Sequence, residues 1–150
     1  MLFSVFYSFA KTNPMTSRSI IDLLPNLKGM TALVVEDNPL NAMVVQKLLK
    51  KWGLFSELAI NGKIAIEKAN QKPYDFILMD LQLPFINGFD ATVHIRSHDN
   101  PNKKTPIYAL TMEISDLQKK QYALIFNGFF QKPLQIETLC EALLGVSVAG

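Results

Sequence analysis

The 150-residue chain has little cysteine, with Cys140 as its single example, so it cannot form an internal disulfide bond. A lone cysteine fits a reducing, cytoplasmic location, in which a buried and inert thiol is the simplest role. A long hydrophobic run is also missing, because Lys11 interrupts the apolar segment 1–10 too early for a membrane span. We therefore expect neither a disulfide-stabilised secreted domain nor a membrane-spanning protein.

A large surplus of charge of either sign is absent as well. Lys and Arg exceed Asp and Glu by only two, 15 against 13. This excess lies in residues 1–29, where Lys11, Arg18 and Lys28 face only Asp22, so the remainder is formally neutral. A neutral domain gives no electrostatic reason to expect nucleic acid or an anionic membrane as a partner.

What the chain does have is enough apolar sequence for one core, since 49% of its residues are hydrophobic. Its length is too short for two ordinary domains. We expect an N-terminal arm or linker over residues 1–28, one domain over residues 29–146, and a short tail over residues 147–150.

From residue 31 onward, short apolar runs alternate with segments of helical periodicity. The predicted strands cover residues 32–35, 56–60, 76–79, 106–110 and 129–131. The predicted helices cover residues 39–52, 62–70, 88–96, 116–126 and 135–144, the first with Met43, Val44, Leu48 and Leu49 at helical spacing and the fourth capped by Asp116. Strands separated by helices require a parallel sheet. The fold class is therefore α/β, with a doubly wound five-stranded parallel sheet.

Polar side chains stand where four of these strands end: Glu36 and Asp37, Asp80, Thr111 and Lys132. The carboxyl ends of parallel strands share one edge of the sheet, so these side chains are expected to meet there. Three neighbouring carboxylates need a compensating cation, and Mg²⁺ suits such oxygen ligands. A hydroxyl and an ammonium can hold phosphoryl oxygens. An aspartate in this setting is equipped to accept a phosphoryl group as a nucleophile.

Four motifs in this order resemble those of response regulator receiver domains in two-component signalling. They are LVVEDN at 33–38, ILMDLQLP at 77–84 followed by Asn87-Gly88, ALT at 109–111 and QKP at 131–133. The resemblance covers about residues 29–144 and implies the flavodoxin-like (α/β)5 receiver fold. It further implies a phosphoacceptor signalling switch that a histidine kinase or a histidine phosphotransfer protein phosphorylates. Such a domain is regulatory and catalyses only its own phosphorylation and dephosphorylation.

The resemblance also implies a role for each residue near the site. Asp80 would be the phosphoacceptor. Asp37, Asp80 and the backbone carbonyl of Gln82 would bind Mg²⁺, with Glu36 supporting the ion directly or through water. Thr111 and Lys132 would hold the phosphoryl oxygens, and the bond between Lys132 and Pro133 would be cis.

Two further sets of residues follow from the resemblance. Thr111 and Phe129 would form the switch, altering the face made by the fourth helix, the fifth strand and the last helix, where a downstream protein could bind. Gln82, Met112 and Glu113 would govern access and phosphoryl lifetime. Met112 stands where the family usually has a small residue, so it could cover the phosphoryl group.

Several segments are typical of the receivers found in hybrid histidine kinases. They are Asn41 after the EDN motif, LLKKWG at 48–53, GFDAT at 88–92 and LKG at 27–29. On this interpretation the N-terminal arm is a remnant of an interdomain linker.

Other functions compete with this interpretation. A receiver-like module could dock without being phosphorylated. An aspartate-nucleophile phosphohydrolase commonly carries a second carboxylate two residues after the nucleophile, where this chain has Gln82. A flavin site would need a phosphate-binding loop after the first strand, where Glu36 and Asp37 repel phosphate.

His94 and His98 have helical spacing that can bind zinc, but no third ligand stands nearby. The aromatic residues Tyr122, Phe126, Phe129 and Phe130 are expected to serve packing, with a partner-binding face as the alternative. Trp52 and the methionines are most simply core residues.

Overall fold

A computed structural model of the chain describes residues 27–149. Along this part, strands and helices alternate: β1 (Thr31–Val35), α1 (Pro39–Lys51), β2 (Phe55–Ala59), α2 (Gly62–Gln71), β3 (Phe76–Asp80), α3 (Gly88–Ser97), β4 (Ile107–Thr111), α4 (Asp116–Tyr122), β5 (Gly128–Gln131) and α5 (Ile136–Ala149). The strands form one parallel sheet in the order β2-β1-β3-β4-β5. The predicted doubly wound five-stranded fold is confirmed.

The core has two layers because side chains of a strand alternate between the two faces of the sheet. On β3, Phe76 and Leu78 pack with buried residues of α1 and α5, such as Leu49 and Leu143. Ile77 and Met79 face the other side of the sheet, where Ala65, Ala69, Ala91 and Ile95 of α2 and α3 lie. Every residue of β3 and β4 is buried. The two central strands therefore form a rigid support for their carboxyl ends.

Helix α1 buries a face that the prediction identified only in part, since Leu49 is buried and Leu48 is half-buried. Ala42, Val45 and Leu49 are buried, whereas Met43 and Val44 are 44% and 56% exposed. The buried positions are three and four residues apart, which is the spacing of one helix face. The small Ala42 lies on this face, whereas the larger Met43 and Val44 lie outside it. The expectation that the methionines lie in the core is wrong for Met43 and for Met112, which are both exposed.

Helix α4 starts at Asp116, as predicted, but its capping residue and its end differ from the prediction. Its N-cap is Ser115, whose hydroxyl accepts from the Gln118 N–H at 3.2 Å while the Gln118 side chain accepts from the Ser115 N–H at 3.0 Å. This reciprocal pair is a capping box, and it displaces the predicted cap at Asp116 by one residue. The helix ends at Tyr122 and does not reach Phe126. Phe126 packs as a buried residue of the core instead.

The described structure reaches beyond both borders of the predicted domain, residues 29–146. Leu27 is buried in the core, and the Gly29 N–H donates to the Gly53 carbonyl at 2.9 Å. The folded part therefore includes Leu27 in addition to the predicted 29–146. The rest of the predicted arm, residues 1–26, lies outside the described residues. Helix α5 continues to Ala149, into the predicted tail. Among the described residues, none of the helices has the length and apolarity that crossing a membrane requires.

The loop before β4 is fixed by the buried side chain of Asn102. Its amide donates to the carbonyls of Ala69 at 2.7 Å and Lys72 at 2.8 Å, and its carbonyl accepts from the Tyr74 N–H at 2.8 Å. These bonds join the end of α2 to the amino-terminal edge of the sheet. The polar side chains that are predicted to carry function lie at the opposite, carboxyl edge of the sheet.

Candidate functional site

The predicted site residues lie together at the carboxyl edge of the sheet. Asp80 is the last residue of β3, which lies between β1 and β4. Glu36 and Asp37 follow β1, Thr111 ends β4, and Lys132 follows β5. Glu36, Asp80 and Thr111 are buried, whereas Asp37 is exposed. The site is therefore open to solvent beside Asp37 and enclosed around the other side chains.

Three carboxylates converge closely enough to share one cation. One oxygen from each of Glu36, Asp37 and Asp80 lies within 4.8 Å of the other two. We call these three residues the acidic group. Three carboxylates and the neighbouring Lys132 ammonium sum to two negative charges, which a divalent cation neutralises. Hard carboxylate oxygens with an open side for water are the ligands that Mg²⁺ prefers. The donor set therefore fits Mg²⁺.

Lys132 bridges two of these carboxylates. Its Nζ donates to Glu36 Oε2 at 2.8 Å and to Asp80 Oδ2 at 3.0 Å. Burial by itself lowers the pKa of Lys132, but its hydrogen bonds to Glu36 and Asp80 and their negative charges outweigh that effect and raise it. Lys132 is thus held as a cation beside Asp80. The Lys132–Pro133 peptide bond is cis, as the resemblance implied.

The Asp80 carboxylate is oriented from two sides. Asp80 Oδ1 accepts from the Gln82 N–H at 3.0 Å, and Oδ2 accepts from Lys132. The backbone here leaves no room for another side chain, because a Cβ on Gly88 would lie 1.9 Å from the Asp80 carbonyl oxygen. Gly88 therefore allows the start of α3 to pack directly against the end of β3. The predicted role of the Gln82 carbonyl as a metal ligand stays a prediction.

Asn38 also belongs to the site, although its motif predicted no separate role for it. Its N–H donates to Glu36 Oε1 at 3.1 Å, and its side-chain oxygen accepts from the N–H groups of Leu40 and Asn41 at 2.9 Å and 3.1 Å. Asn38 therefore has two roles: its side chain caps α1, and its backbone N–H orients Glu36. An asparagine directly before a proline at the first helical position is the signal that could have identified this cap.

The Thr111 hydroxyl is engaged by the loop that follows β4. Thr111 Oγ1 donates to the Glu113 carbonyl at 2.8 Å. The Thr111 carbonyl accepts from the Lys132 N–H at 2.8 Å, which ties the ends of β4 and β5 together. Met112 and Glu113 are exposed in the same loop. Any contact between the Thr111 hydroxyl and a group bound to Asp80 requires the hydroxyl to leave Glu113.

Phe129 belongs to a row of aromatic rings that runs from α3 to β5. Ring centroids are 4.5 Å apart for Phe89 and Tyr122, 6.3 Å for Tyr122 and Phe126, and 5.8 Å for Phe126 and Phe129. Phe126 and Phe130 are buried, and Tyr122 and Phe129 are half-buried, so packing is the main role of this group. Phe129 pairs with Ala109, two residues before Thr111 on β4. Its predicted switch role stays a prediction.

The other residues considered from the sequence lie away from this edge. The rings of His94 and His98 stack with centroids 3.9 Å apart at the end of α3. Cys140 is a buried free thiol on α5, and burial raises its pKa to about 11. A thiol with this pKa is almost fully protonated at neutral pH, which agrees with the inert role expected for it.

An open five-stranded parallel sheet in this order, with an acidic group and a lysine at its carboxyl edge, defines a CheY-like α/β domain. The family model of the response regulator receiver domain matches residues 32–144. The chain belongs to this family.

Relatives of two architectures share the domain. Over 119 residues, or 77% of the chain, it is 40% identical to hybrid signal transduction histidine kinase G of Dictyostelium discoideum. Over 133 residues, or 86% of the chain, it is 35% identical to two-component response regulator 24 of Arabidopsis thaliana. The matched parts make up 4% of the kinase and 94% of the regulator. Receivers of hybrid kinases are thus among its relatives, as predicted.

Two solved receiver domains resemble the chain in overall fold. The receiver domain of the sensor histidine kinase PA1611 from Pseudomonas aeruginosa, with magnesium in its active-site cleft, has a TM-score of 0.69 and 31% identity, covering 81% of this chain and 99% of that domain. The receiver of Ssk1 in its complex with the histidine phosphotransfer protein Ypd1 of Saccharomyces cerevisiae has a TM-score of 0.66 and 28% identity, covering 75% of this chain and 85% of that one.

Proposed function

We propose that this receiver domain is a phosphoacceptor switch that takes a phosphoryl group from phosphohistidine onto Asp80. The observation that carries the proposal is the buried Asp80 carboxylate, held by Lys132 and the Gln82 N–H within an acidic group. An Asp80 oxygen attacks phosphorus, the bond from phosphorus to the histidine nitrogen breaks, and its electron pair stays on the imidazole. The product is an acyl phosphate, and the chain catalyses only this reaction and its hydrolysis.

The same proposal assigns a magnesium site to the acidic group. Asp37, Asp80 and the Gln82 carbonyl would hold the ion, with Glu36 acting directly or through water. When bound, Mg²⁺ supplies positive charge against the phosphoryl oxygens. The net negative charge of the donor set supports this assignment, as does the magnesium found in the PA1611 receiver.

Two protein groups would receive the transferred oxygens. Lys132 already lies beside Asp80, so its ammonium can exchange a carboxylate oxygen for a phosphoryl oxygen without a large movement. Thr111 would give up its bond to Glu113 and donate to the phosphoryl group instead. That exchange would change the β4–α4 loop, with Phe129 following, and so alter the face of α4, β5 and α5.

The proposed partners follow from this chemistry. A histidine kinase or a histidine phosphotransfer protein would supply the phosphoryl group, as the Ypd1 complex with the Ssk1 receiver suggests. A downstream protein would bind the face of α4, β5 and α5, where Leu117 is exposed. A cytoplasmic location is part of the proposal, and a chain with a single cysteine, Cys140, fits a reducing compartment.

The test is intact-mass spectrometry of the protein with a small phosphodonor such as phosphoramidate, with Mg²⁺ or with a chelator. We expect one added phosphoryl group per chain when Mg²⁺ is present and almost none when it is removed, because the unneutralised acidic group repels the anionic donor. Equal labelling in both samples would contradict the magnesium site. No labelling in either sample would favour a module that docks without phosphorylation.

Replacing Met112 by Ala should shorten the lifetime of the phosphorylated state. A flexible apolar side chain beside Thr111 hinders the approach of the attacking water, so its removal should speed both loading by small donors and phosphoryl loss. The expected change is roughly tenfold if restricted access supplies about 1.4 kcal/mol of the barrier.

The measurement is the decay of the phosphorylated mass at fixed Mg²⁺ for the wild type and for Met112→Ala. Met43→Ala is the matched control, since Met43 is an exposed methionine of α1. Decay rates that agree for all three proteins would remove Met112 from any role in access.

A further inference from the structure

The turn after β3 holds an aromatic ring in solvent. Phe85, five residues beyond Asp80, is 93% exposed. The Ile86 N–H donates to the Pro84 carbonyl at 2.9 Å, and φ of Phe85 is 67°. These two features define a γ-turn with positive φ at its centre, which is the rare and strained kind. Neither the exposed ring nor the strained backbone stabilises the fold, so the turn calls for a functional explanation.

The turn is held firmly in place from its other side. A Cβ on Gly62 would lie 2.2 Å from the Ile86 carbonyl oxygen. The start of α2 therefore packs against the backbone of the turn, and only glycine permits that distance. Gly88 closes the same loop against Asp80. Phe85 is thus presented to solvent by a fixed backbone and keeps a constant position relative to Asp80.

Exposed apolar residues also follow the two strands that flank β3. Because β1 and β4 flank β3, the segments after these strands lie on either side of the Phe85 turn. They carry Leu40 in the first turn of α1 and Met112 after β4, and both side chains are exposed. We call Leu40, Phe85 and Met112 the apolar rim. Loops at a site for a charged group are expected to be polar, so this rim indicates a contact with another apolar surface.

We propose that Phe85 is the anchor residue on which a histidine phosphotransfer protein docks, with Leu40 and Met112 as flanking contacts. The inference rests on the proposed function. A protein that carries phosphohistidine must bring the imidazole into contact with the Asp80 carboxylate, so the surface around that histidine covers the rim. Buried aromatic anchors supply much of the energy of such interfaces. A small phosphodonor reaches Asp80 without covering the rim, and this difference separates docking from chemistry.

The experiment compares phosphoryl transfer from phosphorylated Ypd1 and from phosphoramidate to the wild type, Phe85→Asn and Leu124→Asn. Asparagine tolerates positive φ, so Phe85→Asn keeps the turn and removes the ring. Leu124 is the matched control, because it is also 93% exposed but precedes β5 at the opposite edge of the sheet. We expect Phe85→Asn to slow transfer from Ypd1 roughly tenfold, the effect of one interface anchor. Leu124→Asn should transfer like the wild type, and phosphoramidate should label all three proteins equally.

Three results would overturn the inference. The first is transfer from Ypd1 to Phe85→Asn at the wild-type rate. The second is a wild type that phosphoramidate labels but Ypd1 does not, which leaves the proposed function intact. The third is a clearly lower unfolding temperature for Phe85→Asn, which would make Phe85 a structural residue. A wild type that accepts from neither donor would overturn the proposed function itself.

Discussion

Asp80→Asn should reduce phosphoryl acceptance from a small donor below detection, at least about a thousandfold below the wild type. The asparagine amide is nearly the same shape as the carboxylate, but it has no anionic oxygen with which to attack phosphorus. It also removes one of the charges that hold Lys132 beside the site. The measurement is the intact mass after incubation with phosphoramidate and Mg²⁺.

The control for this variant is Asp116→Asn at the start of α4, where the wild-type side chain is 97% exposed. It should be labelled like the wild type, because Asp116 lies outside the acidic group. Asp80→Asn should remain as stable as the wild type, since removing one of three neighbouring carboxylates relieves repulsion. Labelling of Asp80→Asn at the wild-type level would show that another residue accepts the phosphoryl group.

Gly88→Ala should produce the largest loss of stability among the substitutions considered, about 3 kcal/mol in the free energy of unfolding. Its new Cβ would lie 1.9 Å from the Asp80 carbonyl oxygen, so the backbone of α3 or of β3 must move. Because both atoms in this contact belong to or adjoin the main chain, rotation of a side chain cannot relieve it. The movement should also displace the Asp80 carboxylate and weaken Mg²⁺ binding.

Gly29→Ala is the control that separates a steric clash from the backbone strain of replacing a glycine with positive φ. Gly29 has a φ of 91°, but a Cβ there meets no atom within 4 Å. Its replacement should cost only the backbone strain, about 1 kcal/mol, and leave Mg²⁺ binding unchanged. Urea denaturation and Mg²⁺ titration of both variants provide the comparison. Equal costs, or normal Mg²⁺ binding by Gly88→Ala, would contradict the close packing of α3 on Asp80.

The sequence was sufficient for the sheet and for the residues at its carboxyl edge. Short apolar runs separated by helical segments allow few arrangements, and a parallel sheet brings all strand ends to one side. The carboxylates after β1 and at the end of β3 and the lysine after β5 could therefore be placed together before any contact was known. Their contacts, such as the bridge from Lys132 to Glu36, follow from this placement.

The features that sequence reasoning missed depend on contacts between distant segments. Helix α1 packs through Ala42, Val45 and Leu49 and leaves Met43 exposed, and this choice depends on the segments against which the helix packs. In the sequence, Asn102 is one polar residue of a polar loop. Its buried position depends on hydrogen bonds to Ala69, Lys72 and Tyr74, about 30 residues earlier in the chain.

Phe85 is a different case, because its left-handed backbone is held by the packing of Gly62 against the next residue. No local pattern of the sequence indicates that contact. The strained backbone of Phe85 depends on the packing of α2 against the β3–α3 turn.

We propose that Asp80 itself carries the phosphoryl group as an acyl phosphate, and chemical reduction tests this most directly. Borohydride reduces an acyl phosphate to the alcohol and leaves free carboxylates and phosphate esters unchanged. Treating the wild type with phosphoramidate and Mg²⁺, then with borohydride, and sequencing its peptides by mass spectrometry reads out the modified residue directly. We expect homoserine in place of Asp80 and unmodified Glu36 and Asp37. Reduction at any other residue, or none at Asp80 in a sample that gained the phosphoryl mass, would contradict it.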